Sequence, residues 1–236
     1  MEQLVKPFEV FSSGSHLVLG EAGTGKTKLI WTILQNREFV KENSINIVLT
    51  DSDKRIWAEA RQIPVTIKNP YAADISWATN PSMPGIYYCA CDYAPRIITF
   101  LECLATWAIQ NDKNTDNKVR IFIDISSKIW MLPEFIEQIN RLHFIINSQG
   151  EESPIELWAV LGSIKKLPNQ IKSIFACINL ILTNPVSQSL LNDIKEILGS
   201  DCEGLRAKLD KIECGRKEGF YYAPITGEDV FVGQIL

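Results

Sequence analysis

The chain has 236 residues, of which 46% are hydrophobic and 22% are charged, a composition typical of a folded protein with a sizeable core and not of a disordered segment. Its formal net charge of −4 argues against a surface coated in basic residues for nucleic acid, although it is compatible with a few lysines brought together in a ring of subunits. No apolar run approaches the roughly 20 residues of a membrane helix and the chain lacks a secretory signal at its start, so we expect a cytoplasmic protein with no membrane span.

In the first half of the chain, apolar runs of strand length alternate with segments of helical periodicity, the pattern of a parallel sheet covered by helices. Strands are predicted at 16–20, 45–50 and 85–91, and helices at about 26–35 and 94–110. The second of these strands ends at Asp51-Ser52-Asp53. The stretch 54–84 fits neither pattern, and we expect a small insertion or a cap over the ligand site there.

The second half continues the alternation after a polar, turn-forming loop at 111–118. Strands are predicted at 120–125, 156–162 and 177–183, and a helix is predicted to begin at Pro133. The last residues, 217–236, are typical of a β-hairpin across a Gly-containing turn. We therefore expect one α/β domain over 1–236, with a mainly parallel sheet flanked by helices and a C-terminal β-hairpin.

The sequence GEAGTGKT at 20–27 matches the phosphate-binding pattern G-x-x-x-x-G-K-[ST] at every required position. A predicted strand before it and a predicted helix after it supply the context that this P-loop pattern needs. Glycines let the backbone curl so that N–H groups point at phosphate oxygens, and the helix N-terminus adds partial positive charge. We expect the following residues to hold ATP: Gly20, Glu21, Ala22, Gly23, Thr24, Gly25, Lys26, Thr27 and Lys28.

The same pattern assigns roles to individual side chains. Lys26 is expected to reach the β- and γ-phosphates, and the Thr27 hydroxyl is expected to ligate Mg²⁺. Asp124 follows three buried apolar residues and emerges at the carboxyl end of its strand, the edge at which open α/β sheets bind ligands. Its carboxylate can hold the water shell of Mg²⁺ opposite Thr27, although an Asp in this position could instead cap a helix.

With these motifs the chain resembles the FtsK–HerA superfamily of P-loop motor ATPases, and within it the ATPases of conjugation and type IV secretion. Beyond the P-loop, the resemblance is carried by the order and spacing of four segments. The first, INIVLTDSDK, is similar to the family's second strand, which typically ends in an Asp followed by a basic residue. The others are the segments 85–109, 122–142 and 156–185.

The chain also departs from this family at two positions. Relatives usually place a catalytic Glu directly after the magnesium-binding Asp, and here that position is Ile125, which cannot accept a proton. The family's sensor strand usually ends in Thr-Gln, where Gly162 and Ser163 stand here, so Ser163 could make only a shorter contact with the nucleotide. Because loss of a general base commonly costs ~10²–10⁴-fold in rate, nucleotide binding has better support than brisk hydrolysis.

Other residues could supply the missing groups. Asp53 and Asp51 end the strand expected beside the P-loop and are the first candidates for the base, although either could be an exposed loop carboxylate. Ring-forming relatives also use an arginine from a neighbouring subunit. Arg141 is the candidate by position and Arg216 the second, with a solvated helix-face arginine as the alternative.

The resemblance implies a homo-oligomer, commonly a hexameric ring, that moves DNA or a partner protein at the expense of ATP. An alternative is a regulatory module in which ATP acts as a ligand that sets assembly or partner choice, and Ile125 favours this alternative. A small-molecule kinase has less support, since the chain contains no Arg-rich lid or second-substrate motif.

Overall fold

The computed structural model describes residues 4–5, 11, 14–36, 39–40, 44–70, 75–79, 83–111, 118–175, 178–199, 202–215, 219–225 and 229–235. The strands are β1 Leu4–Val5, β2 His16–Leu19, β3 Ser44–Thr50, β4 Thr66–Ile67, β5 Gly85–Ala90, β6 Lys118–Asp124, β7 Ile155–Leu161, β8 Asn179–Thr183, β9 Phe220–Ala223 and β10 Phe231–Gly233. The helices are α1 Lys26–Gln35, α2 Ile56–Ala60, α3 Ser76–Thr79, α4 Ala94–Gln110, α5 Ser127–Trp130, α6 Pro133–Gln149, α7 Asn169–Phe175, α8 Gln188–Leu198 and α9 Glu203–Leu209, with a 3₁₀ turn at Gly150–Glu152.

Within the described ranges, ten strands form one sheet in the order β1-β10-β9-β8-β2-β7-β6-β3-β5-β4. From β8 to β4 all neighbouring strands are parallel. At the other side β9 runs antiparallel to both β8 and β10, which forms the C-terminal hairpin. The predicted fold class, a mainly parallel sheet flanked by helices with a terminal hairpin, is confirmed.

The central strands are apolar because helices cover both faces of the sheet. Every residue of β2, β3, β7 and β8 is buried. In β2, Leu17 and Leu19 pack into the larger core on one face, whereas Val18 packs with α1 residues on the other face. This alternation follows from the two-residue period of a strand.

The two long helices α4 and α6 lie side by side over the larger core. Their buried residues recur at helical spacing, as Ile97, Leu101 and Leu104 do in α4. The predicted bounds 26–35 and 94–110 agree with α1 and α4, and α6 begins at the predicted Pro133. None of the helices in the described part of the chain is both long and apolar enough to cross a membrane.

Other predicted boundaries shift by a few residues. The strand predicted at 120–125 begins earlier, at Lys118, and residues 112–117 of the predicted loop lie outside the described residues. The unclear stretch 54–84 contains the short elements α2, β4 and α3. The strand predicted at 177–183 begins at Asn179.

A buried histidine joins α6 to the start of β2. His143 Nδ1 lies 3.4 Å from Ser15 Oγ, and its Nε2 lies 2.9 Å from Asn147 Nδ2. Burial lowers the pKa of His143 from 6.5 to about 4. Below pH 6.5 the unfolded chain therefore binds a proton at this histidine, whereas the folded chain leaves it neutral. As a result, the free energy of unfolding falls as the pH drops from 6.5 towards 4.

We predict that His143→Leu removes part of this loss of stability at acidic pH. The free energy of unfolding of the native chain should fall by up to about 3 kcal/mol more than that of the variant between pH 7 and pH 4, because a pKa difference of one unit corresponds to about 1.4 kcal/mol. Urea unfolding at a series of pH values measures this difference. Parallel pH profiles for the two proteins would contradict the assignment.

Candidate nucleotide-binding site

The loop between β2 and α1 has the curled backbone that the sequence pattern predicts. Gly23 has φ 82° and Gly25 has φ 90°, a left-handed conformation that glycine adopts without steric cost. Gly25 directly precedes the first residue of α1. The loop therefore leads into the N-terminus of a ten-residue helix, where free N–H groups and the helix dipole favour an anion.

Gly20 starts this loop at a crowded point of the sheet edge. Its N–H donates to the carbonyl oxygen of Leu161 on β7 at 3.3 Å. On its other side, a Cβ at position 20 would overlap the hydroxyls of Thr183 and Thr24. Those two hydroxyls lie 2.5 Å apart and are buried, so an added methyl group would disturb a hydrogen-bonded pair.

Lys26 lies across the mouth of the loop. Its ammonium donates to the carbonyl oxygens of Gly20 and Glu21, both at 2.7 Å. Burial lowers the pKa of Lys26, and the nearby Lys54 lowers it further, while Asp124 acts in the opposite direction. A partly desolvated ammonium at this position is suited to bind phosphate oxygens.

Thr27 and Asp124 meet beside the loop. The Thr27 hydroxyl donates to Asp124 Oδ2 at 2.7 Å, although the two residues come from α1 and from the end of β6. Hydroxyl and carboxylate oxygens are ligands that suit Mg²⁺, which is usually bound by one or two protein groups together with phosphates and water. Thr27 and Asp124 therefore fit the predicted metal.

No group of three or more His, Cys, Asp and Glu side chains that could hold a metal occurs among the described residues. This finding is compatible with a magnesium site of the P-loop kind, since most of its ligands come from phosphate and water.

Lys54 also contacts Asp124, and the sequence did not single out its side chain. Its ammonium lies 2.8 Å from Asp124 Oδ1 and donates to the backbone oxygen of Asp124 at 3.1 Å. The sequence feature that could have indicated its role is its position directly after the acidic residues that end β3. The strand order supplies the missing fact, because β3 lies directly beside β6.

The two candidate bases at the end of β3 have different surroundings. Asp51 Oδ2 accepts a hydrogen bond from the N–H of Ser126 at 2.8 Å, so this carboxylate lies beside the segment that follows Asp124. Asp53 is exposed and pairs with Arg55, with 2.6 Å between Oδ2 and Nη2. Hydrogen bonds from Arg55 hold the pKa of Asp53 down at about 2.

Ile125 and Ser163 line one small cavity at the same edge, with a volume of about 440 Å³. Ile125 is buried, and no proton-accepting group stands at that position. Ser163 is exposed, and its Oγ accepts from the N–H of Lys165 at 3.3 Å. Ser163 follows β7, the strand that lies between β2 and β6 in the sheet.

The remaining predicted residues have contacts of other kinds. Glu21 Oε1 accepts from the hydroxyl of Ser187 at 2.7 Å, and Ser187 caps α8. Ala22 is exposed. Lys28 reaches the carbonyl oxygen of Ile235 at 3.5 Å, which brings the segment after β10 against the start of α1, a contact that the sequence did not predict.

Arg141, the first of the two candidate arginines, does not join this cluster. Arg141 lies midway along α6, and its Nη2 donates to Thr106 on α4 at 3.3 Å. It therefore lies on the outer face of the paired helices α4 and α6. Arg216 lies outside the described residues.

No protein-family model matches the sequence, and no curated protein matches it either. Solved structures do match. The genome packaging NTPase B204 from Sulfolobus turreted icosahedral virus 2, in complex with AMPPCP, aligns with 93% of this chain and 96% of its own at 12% identity and a TM-score of 0.56. The same NTPase in complex with ATP-gammaS covers 98% of this chain and 100% of its own at 12% identity and a TM-score of 0.58.

Two further matches come from larger proteins. Thermomonospora curvata EccC (ATPases 2 and 3), in complex with a signal sequence peptide, covers 94% of this chain and 36% of its own at 9% identity and a TM-score of 0.53. The pCW3 conjugation coupling protein TcpA with ATPgS covers 94% of this chain and 60% of its own at 13% identity and a TM-score of 0.50. At these identities the likeness concerns the fold, and the chain has the fold of these nucleotide-binding ATPases: it is a P-loop NTPase fold.

We predict that Gly20→Ala lowers the free energy of unfolding by about 1–3 kcal/mol, the usual cost of overpacking a tight site. The reason is the overlap of the added methyl with the buried Thr183 and Thr24 hydroxyls. Gly162→Ala is the matched control, since its Cβ would meet nothing closer than 4.0 Å. Urea unfolding of the two variants should separate them, and equal stabilities would contradict the crowding at position 20.

Proposed function

We propose that this chain binds Mg²⁺·ATP and hydrolyses it as a motor ATPase of the FtsK–HerA superfamily, moving DNA or a partner protein. The observation that carries the proposal is the 2.7 Å contact between Thr27 and Asp124 beside a complete phosphate-binding loop. These are the two oxygen ligands that a P-loop site needs, and they come from elements far apart in the chain.

In this site the loop N–H groups and Lys26 bind the phosphates, while Thr27 and Asp124 hold Mg²⁺ directly or through its water shell. Mg²⁺ held by these residues would neutralise charge that develops on the phosphate oxygens. We also propose that Lys28, which directly follows Thr27 on α1, contacts the nucleotide. Ser163 would make a short contact on the γ-phosphate side.

Asp51 is the better supported of the two general-base candidates. Its carboxylate accepts from Ser126 N–H and thus lies next to the position that Ile125 occupies in place of a Glu. Asp53 is a poor proton acceptor, because its pKa of about 2 reflects a tight pair with Arg55. In the proposed reaction Asp51 takes the proton of the attacking water, directly or through one bridging water.

We further propose that residues 1–236 act as one ATPase domain in a cytoplasmic homo-oligomer, with a hexameric ring as the expected form. Residues 54–84 would flank the nucleotide, and Arg141 or Arg216 would reach the site of a neighbouring subunit. Support for a translocating motor comes from the similar proteins, which are a genome packaging NTPase, a type VII secretion ATPase and a conjugation coupling protein.

A regulatory ATP-binding module is the second candidate function. Ile125 favours it, because a buried aliphatic side chain at the usual place of the catalytic Glu predicts slow turnover. Such a module would hold ATP without consuming it and thereby stabilise one assembly state.

The experiment is ATP hydrolysis by the purified protein with Mg²⁺, with and without DNA, against Lys26→Ala as the blank. A motor that acts on DNA should hydrolyse ATP faster when DNA is present and should lose turnover in the blank. Nucleotide binding with turnover no better than the blank would instead select the regulatory module.

The same assay distinguishes the two carboxylates. Asp51→Asn should lower the hydrolysis rate by ~10²–10⁴-fold, the usual effect of removing a general base. Asp53→Asn is the matched control and should retain the rate within about threefold, because Asp53 is engaged by Arg55 at the surface. A larger loss in Asp53→Asn than in Asp51→Asn would reverse the assignment.

A further inference from the structure

The turn between β3 and α2 brings a second lysine to the phosphate site. Lys54 lies close enough to Lys26 to lower the pKa of that ammonium. The Lys54 side chain is 26% exposed and the Asp124 side chain is 12% exposed. An ion pair with this little exposure is screened less by water than a surface pair.

The contacts of Asp124 are divided between two partners. Oδ2 accepts from Thr27, whereas Oδ1 pairs with Lys54. The same ammonium also binds the backbone oxygen of Asp124. Lys54 therefore holds Asp124 at two points, and the carboxylate oxygen that faces Thr27 is left for a shared ligand.

Lys54 is itself fixed by a buried tyrosine. Its backbone N–H donates to the hydroxyl of Tyr88 at 2.6 Å, and that hydroxyl donates to the carbonyl oxygen of Ser52 at 3.1 Å. Thr50 Oγ1 lies 3.0 Å from the same hydroxyl, and Tyr88 is 1% exposed. The turn that carries Lys54 is thus anchored to β3 and β5 before any ligand binds.

We propose that Lys54 is the positioning residue for the magnesium-binding carboxylate: it orients Asp124 so that Oδ2 faces the Thr27 hydroxyl. This inference rests on the proposed function. A carboxylate that is already oriented loses less freedom when a metal binds, and outer partners of this kind are typically worth 10–100-fold in metal affinity.

Lys54 also carries a positive charge, which repels Mg²⁺. Its contacts lie on Oδ1 and the backbone oxygen, while Oδ2 contacts Thr27. Lys54 and the Thr27 hydroxyl therefore contact different oxygens of the carboxylate. We therefore expect the orientation of the carboxylate to change the affinity for Mg²⁺ more than the repulsion does.

The test is titration calorimetry of ATPγS binding at a series of Mg²⁺ concentrations, and separately in EDTA, for the native chain and for Lys54→Met. The variant should need at least about tenfold more Mg²⁺ for half-maximal binding, and this increase should exceed any change in its affinity for ATPγS in EDTA. Lys54→Arg keeps the positive charge and can donate two hydrogen bonds, so its Mg²⁺ requirement should lie closer to the native value than that of Lys54→Met.

Arg55→Met is the matched control, since Arg55 pairs with the exposed Asp53 and should leave the Mg²⁺ requirement unchanged. Thermal unfolding checks each variant, and Lys54→Gln replaces the Met variant if that one fails to fold. A Mg²⁺ requirement in the neutral Lys54 variant that is equal to or lower than the native one would overturn the inference and leave the proposed function standing. No ATPγS binding by the native chain would overturn both.

Discussion

The hydrogen bond from Thr27 to Asp124 is the contact on which the site depends, because it joins the phosphate loop to the middle of the sheet. It can form only if β2 and β6 end at the same edge of the sheet. The parallel order β2-β7-β6 meets this condition, with β7 lying between the two strands. The apolar central strands, buried by helices on both faces, fix that order and hence the distance between the two oxygens.

Around this contact the charges are arranged to balance one another within a small volume. Lys26 and Lys54 both lie near Asp124, and burial together with mutual repulsion lowers the pKa of Lys26. Phosphate groups brought to the loop would add the negative charge that offsets the two ammonium groups. The same edge thus suits an anion carried with a divalent cation, in keeping with the fold shared with nucleotide-bound ATPases.

Much of the fold and part of the site could be predicted from local sequence patterns. The P-loop, α4 and the strand that ends in Asp124 each carry their signal within a few consecutive residues. The contacts of Asp51 and Lys54 could not be predicted in this way, because they require β3 to lie beside β6. The order of the strands along the chain does not reveal which strands are neighbours in the sheet.

The choice between Asp51 and Asp53 illustrates the same limit. The two residues are separated by one position, yet one binds Ser126 across the sheet edge and the other binds Arg55 at the surface. The stretch 54–84 was unclear for a different reason. Its helices α2 and α3 and its strand β4 have five, four and two residues, which is too short to show a helical or strand period.

The most direct test of nucleotide binding at the P-loop is a crystal structure of the chain with ATPγS and Mg²⁺. We predict phosphates enclosed by the backbone N–H groups of residues 20–27, with the metal next to the Thr27 hydroxyl and on the Oδ2 side of Asp124. Nucleotide bound elsewhere on the chain, or phosphates in the loop with the metal held by other residues, would contradict it.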